Sequence, residues 1–294
     1  MRTIFFGGLF FGCLLGGSGL LAQRLWVRAA VGEEREDFHW SIAGNSAGQD
    51  PNVYSELKWR GVGGPVGRIE LEWNPLGRWR VLASGSQVFS RSGSMADTDY
   101  GLDNRYDPIY HQRFAVHAGH CGAWGVAAGY SIEWGRWRLT PYIGYAVNDQ
   151  YFPVTDPAGS YESLNSSYAA KWFGPLVKAD GTWQLSGRWQ VVADVVYHQV
   201  RYHATADWNL IPEFAHPVSF THVADGYGFE GLAGLRWGVA RSVAVSFKGG
   251  YFGWETGTGV DQLYLSTGGS DQTQLNGVVR HGWGVGLGVE IGLF

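Results

Sequence analysis

The sequence is poor in charge, in cysteine and in long apolar runs. Lys, Arg, Asp and Glu together make up 16% of the chain, against about a quarter in ordinary soluble proteins. Its 22 basic and 26 acidic residues give a formal net charge of −4, and no basic cluster stands out, which excludes a nucleic-acid surface built on a Lys/Arg patch. Beyond the extreme N-terminus no stretch reaches the roughly 18 consecutive apolar residues of a membrane-spanning helix. Only two cysteines are present, Cys13 and Cys121. Loss of the N-terminal segment described below leaves Cys121 alone, so no internal disulfide forms.

Glycine is abundant at 45 residues, and Trp, Tyr and Phe number 15 each. That combination suits a sheet protein with a large aromatic surface. If the chain crosses a membrane without a helix, a closed barrel is the only structure left in which every backbone N–H and C=O finds a partner.

The N-terminus reads Met1-Arg2-Thr3, an apolar and Gly-rich run from Ile4 to Leu21, then Ala22-Gln23. One early positive charge, an apolar stretch and a small residue before the cut define a secretory signal peptide over residues 1–22. Leu20 departs from the small residue usual three places before a cut, which makes cleavage after Gly19 the alternative. Residues 23–294 are then a single barrel domain.

Four tight turns recur, at Asn74-Pro75-Leu76-Gly77-Arg78-Trp79, Trp134-Gly135-Arg136-Trp137, Leu185-Ser186-Gly187-Arg188-Trp189 and Trp237-Gly238-Val239-Ala240-Arg241. Alternating segments flank them, as in Val243, Val245 and Phe247 against Ala244, Ser246 and Lys248. Longer polar connections lie near 91–108, 150–165, 210–222 and 257–277. Tight turns alternating with long loops is the pattern of a bacterial outer-membrane barrel, tight turns inside and long loops outside. Ten strands are predicted, near 26–43, 52–73, 78–91, 109–133, 137–149, 166–184, 188–209, 223–238, 242–256 and 278–294. The fold class is therefore all-β, a ten-stranded antiparallel transmembrane β-barrel. Trp and Tyr crowd the strand ends as interfacial girdles, and the last strand ends on Phe294, the kind of terminus the barrel assembly machinery reads. Ten strands leave no open pore, and the interior should hold polar side chains such as Glu230, Arg236, Lys248 and Arg280.

Two acidic segments fall at the outer rim. Asp97 and Asp99 share one face of an extended segment, as do Asp207 and Asn209, because side chains alternate with period two. Four strand steps separate the segments in a ring of ten, nearly across the barrel. Facing acidic pairs can hold a water for attack on a peptide carbonyl, given a general base.

The segments Ser55-Glu56-Leu57-Lys58-Trp59, Met95-x-Asp97-x-Asp99-aromatic, Tyr168-x-x-Lys171-x-x-x-Pro175 and Asp207-x-Asn209 resemble the omptin surface proteases, in the same order and over nearly the whole mature chain. In omptins an acidic pair and an Asp-x-His dyad form the protease centre. The resemblance implies that role for Asp97, Asp99 and Asp207, with Asn209 standing where the His belongs. An amide does not exchange a proton near neutral pH as imidazole does. His203 shares the face of Asp207 but lies four residues along the strand, about 13 Å away; His216 and His222 lie in the next loop and could fold back toward Asp207. Omptins also depend on lipopolysaccharide. Lys171 and Tyr145 match a basic and an aromatic position of that lipid site, while Val147 and Asp149 depart from the acidic and basic residues expected there. Trp40-Ser41-Ile42-Ala43-Gly44-Asn45, Asp97-Thr98-Asp99-Tyr100 with Asp103-Asn104-Arg105, Trp208-Asn209-Leu210 and Asp225-Gly226-Tyr227-Gly228 are similar to the Protochlamydia-type outer membrane proteins, a resemblance that implies location rather than activity.

Two readings follow. The first is an omptin-fold surface barrel with a degenerate protease centre, serving as adhesin, receptor or structural barrel for an extracellular peptide or protein ligand. The alternative is an aspartic-type endopeptidase with a substitute base. No metal or other cofactor is called for beyond lipopolysaccharide. On the predicted seventh strand Asp194 and His198 share one face and Arg201, His203 and Asp207 the other, so a β-bulge between His198 and Arg201 is expected if all five avoid lipid.

Overall fold

The computed structural model describes residues 24–156, 159–161 and 163–293; the expected signal segment and Phe294 lie outside them. The strands are β1 (Arg24–Ile42), β2 (Ser55–Asn74), β3 (Trp79–Phe89), β4 (Ser92–Leu102), β5 (Tyr106–Ala115), β6 (His120–Tyr130), β7 (Ile132–Trp134), β8 (Trp137–Val154), β9 (Ser166–Gln184), β10 (Trp189–Asp207), β11 (Phe220–Ala240), β12 (Val243–Thr256), β13 (Gly259–Tyr264) and β14 (Ser270–Leu293). All join one antiparallel sheet that closes where β1 pairs with both β2 and β14. At mid-height the ring runs β1, β2, β3, β6, β8, β9, β10, β11, β12, β14, the ten strands expected.

Each ring strand turns a large apolar side chain outward, among them Ile69, Val126, Ile143, Val195, Phe247 and Leu287. Below this band the tight turns carry paired rings: Trp137 stacks on Trp183 with centroids 5.4 Å apart, and Trp189 on Trp237 at 6.1 Å. Above it Tyr197 meets Phe229 at 5.1 Å. An apolar belt between aromatic girdles is what a lipid-embedded barrel requires.

The lumen is layered. In its lower part ion pairs cross between strands: Arg28 contacts Glu70 and Glu72, Arg236 holds Glu290 at 2.8 Å, and Lys248 holds Asp194 at 3.0 Å. These surround a cavity of about 270 Å³. At its upper margin Arg280 binds Glu36 at 2.8 Å, and Glu36 also accepts from Gln150 and from the buried Cys121 thiol. His198 lies 3.2 Å from Glu230. The four predicted interior residues, Glu230, Arg236, Lys248 and Arg280, thus all face inward.

Above this level the interior is aromatic rather than polar. Phe38, Trp59, Phe152, Tyr168, Trp172 and Tyr202 are almost wholly buried in one cluster. Tyr168 on β9 reaches across to Trp59 on β2 at 5.3 Å and to Trp40 on β1 at 5.8 Å. Side chains from opposite walls therefore meet and close the lumen.

The segments expected as loops at 91–108 and 257–277 are partly strands. β4 and β5 form a hairpin that leaves the ring and pairs through β4 with the upper half of β2, and β13 bridges β11 and β14. Asn104, at φ 59°, makes the β4–β5 turn in a left-handed conformation that Asn tolerates.

Candidate functional site

β4 presents Met95, Asp97 and Asp99 to the interior, as the period-two pattern demands. Asp97 lies opposite Leu57 on β2 and Gln112 on β5, and Asp99 opposite Ser55 and Tyr110. Asp97 is 6% exposed, and its Oδ1 has no hydrogen-bond partner among the described residues. Burial first, and the neighbouring Asp99 second, push its pKa from 3.8 up to about 8. Burial raises Asp99 as well, against a hydrogen bond from Ser55. Burial, a hydrogen bond with Tyr161 and the two carboxyl groups raise the Tyr110 phenol. The pair is thus a protonated acid beside a second carboxyl, walled by tyrosines.

The opposite face of the same hairpin is a clamp. Arg105 donates to Glu56 at 2.9 Å and Lys58 approaches it at 2.6 Å. Burial opposes ionisation of Glu56, but these hydrogen bonds outweigh it and hold its carboxyl below the usual range. Asn52 and Asn104 exchange hydrogen bonds that tie the β1–β2 loop to the β4–β5 turn.

Asp207 does not complete the acidic pair. The register of β10 against β11 is continuous from His198 through Arg201, and against β9 it resumes unshifted at Arg201, so the expected bulge is absent. Tyr202, Ala204, Ala206 and Trp208 occupy the inner face, and Trp208 packs on Phe220 at 6.0 Å. Because that buried set pins the register, Arg201, His203 and Asp207 all point outward. They lie beyond the Tyr197 girdle, where outward charge meets water rather than lipid. The wall of β10 therefore stands between Asp207 and the pair Asp97/Asp99.

Asn209 is turned into the loops rather than toward Asp207. Its Oδ1 accepts from the Asn165 N–H and the Ser166 hydroxyl, both at 2.9 Å, and its Nδ2 donates to the Ser163 carbonyl at 2.8 Å. An amide both gives and accepts here, tying the β8–β9 loop to the end of β10.

Of the histidines weighed from sequence, His216 does fold back, with Nδ1 2.6 Å from Asp207 Oδ1. His222 lies on β11 and faces inward; its Nδ1 contacts the Tyr168 hydroxyl at 2.8 Å and its Nε2 lies 3.1 Å from Asp261 on β13. Tyr110, Tyr161 and Asp261 are site residues that the sequence did not single out, and Ser55 entered only as part of a matching segment. The turn-forming Asp103-Asn104-Arg105 between two alternating runs was the available sign that Tyr110 would face Asp99. On the outer wall Lys171 sits between Asp149 and His203 in register, and Tyr145 is exposed in the belt below.

The family model for Protochlamydia outer membrane protein matches residues 29–293. The chain belongs to that family. No curated protein matches its sequence. Among solved structures, the outer membrane protease OmpT from Escherichia coli is similar in fold, with a TM-score of 0.72 over 92% of this chain and 97% of OmpT at 13% identity. The translocator domain of the autotransporter NalP from Neisseria meningitidis matches at a TM-score of 0.38 and 11% identity, over 93% of this chain and 88% of that one. This member of the Protochlamydia outer membrane protein family is thus a bacterial outer-membrane β-barrel of omptin-like fold.

Proposed function

We propose that this barrel acts by binding at its extracellular rim, as an adhesin, receptor or structural barrel, and that its omptin-type peptidase centre is degenerate. The observation that carries this reading is the split across the wall of β10: Asp97 and Asp99 face inward, Asp207 faces outward, and Asn209 is committed to the loops. General-base catalysis needs the base within hydrogen-bonding reach of the water it activates, and Asn209 offers none. Lipopolysaccharide belongs to the same proposal, with the Lys171 ammonium meeting phosphate and Tyr145 its acyl boundary.

The test is peptide hydrolysis by the refolded barrel with added lipopolysaccharide. Turnover at protease-like rates that disappears in Asp97→Ala would sink the reading. One observation favours the alternative, an aspartic-type endopeptidase: His216 Nδ1 lies 2.6 Å from Asp207, and its Nε2 has no partner among the described residues, an arrangement suited to a base. On that alternative Asp207→Ala and His216→Ala would each abolish cleavage.

A further inference from the structure

We infer that the upper edge of β5 is a docking site for an extended polypeptide segment of another protein, bound by strand addition and carrying an acidic residue beside Arg113. The inference rests on the binding reading above and names its ligand.

β5 ends the strand order of the sheet, with β4 on one side. On its other side the described residues provide only the Ala115–Thr155 bridge, in which each N–H donates to the other's carbonyl at 3.0 and 3.1 Å. That bridge fixes the phase of the edge. Ala115 turns its N–H and C=O away from β4, and since this direction alternates along an antiparallel strand, Arg113 and His111 do the same. No backbone hydrogen bond reaches either of them from that side among the described residues.

The slot has two ends. The bridge closes it below, and Pro108, which lacks an N–H, closes it above, beside the register shift at Asp99/Tyr100. Six residues from Ile109 to Phe114 remain, about 20 Å of strand. Ile109, His111 and Arg113 are exposed, so the outer face of this stretch is open, while on the inner face Gln112 is exposed and Phe114 is buried against Tyr161. An open edge of this kind is a template for a further strand.

Charge selects the occupant. Arg113 has no carboxylate within 4.0 Å among the described residues, whereas nearby Arg105 is held by Glu56. A second copy of the chain fits poorly. Two barrels upright in one membrane are related by an axis along its normal, so β5 would meet β5 in parallel with Arg113 beside Arg113, and like charges directly opposed are destabilising. A segment from another protein with an acidic residue at that point satisfies both the guanidinium and the open backbone groups.

The experiment measures binding of two blocked synthetic hexapeptides, Thr-Val-Thr-Glu-Thr-Val and the same sequence with Lys for Glu, to the refolded full-length barrel in detergent. The expected result is at least tenfold tighter binding of the Glu peptide, reversal of that preference in Arg113→Glu, and loss of both in Arg113→Pro, which removes an edge N–H while leaving every bond to β4. Unchanged far-UV circular dichroism and heat-modifiable migration show that a variant has folded; if the Pro variant fails that check, the reversal in Arg113→Glu decides. Absence of binding, absence of a charge preference, or binding indifferent to both substitutions overturns the docking site. Concentration-dependent dimerisation abolished by Arg113→Pro would also overturn it, by giving the edge to a second copy. Cleavage of a bound peptide would instead defeat the binding reading and leave the strand addition intact.

Discussion

Raising the pH should open the β4–β5 hairpin, and Asp97 is the reason. The fold holds this carboxyl protonated up to about pH 8, whereas in an opened hairpin it ionises near 3.8. Between those values the folded form keeps a proton that the opened form has lost, so the contribution is greatest below pH 4 and declines as pH rises through 8. At about 1.4 kcal/mol per pH unit, the whole span amounts to on the order of 6 kcal/mol, enough to convert a well-closed hairpin into one that opens readily. The assay is hydrogen exchange over residues 92–115 from pH 5 to 9, corrected for intrinsic rates, with β9 as internal reference. Asp97→Asn is the control, neutral at every pH: protection near pH 5 should drop slightly, by about 1–2 kcal/mol for a buried amide left with unmet hydrogen bonds, and should then stay level. If wild type and Asp97→Asn lose protection in parallel, Asp97 is not the group responsible and its burial has been misread.

Three further outcomes are expected. Asn209→His should lose the clamp on the β8–β9 loop, costing about 1–3 kcal/mol locally, and limited proteolysis within 155–165 should accelerate without any gain in peptide cleavage. Glu36→Gln strands Arg280 in the lumen and should cost about 3–5 kcal/mol, seen as a lower temperature for the heat-modifiable band shift on gels. Epitope tags inserted at Gly269 should be accessible on intact cells and tags at Gly187 inaccessible.

The barrel was legible because its burial pattern is local. Turns such as Trp134-Gly135-Arg136-Trp137 set the lower girdle, and two-residue alternation between lipid and lumen writes each strand into the sequence; β9 begins and ends where predicted, at 166 and 184. The β4–β5 hairpin was less legible, since above the membrane neither face must be apolar and Asp97-Thr98-Asp99 reads as loop. The orientation of Asp207 was decided by something farther off. Whether Ala206 and Trp208 or Asp207 and Asn209 take the inner face depends on what fills the lumen at that height, and the filling comes from Trp40, Trp59 and Tyr168 on other strands. The predicted bulge assumed that outward charge on β10 must meet lipid. It failed because the strand continues well past the Tyr197 girdle, as the length of β10 allows.

That excess length sets where the barrel meets its surroundings. β14 has 24 residues, about 80 Å of strand and roughly 60 Å of height at the usual tilt, whereas the apolar band needs only about 25 Å. Some 30 Å of rigid wall, cemented from within by aromatic rings, therefore stands like a turret above the hydrocarbon. A bulky or inflexible partner can reach its top without pressing into the lipid headgroups, and a loop shortened by several residues would still present its tip clear of the membrane.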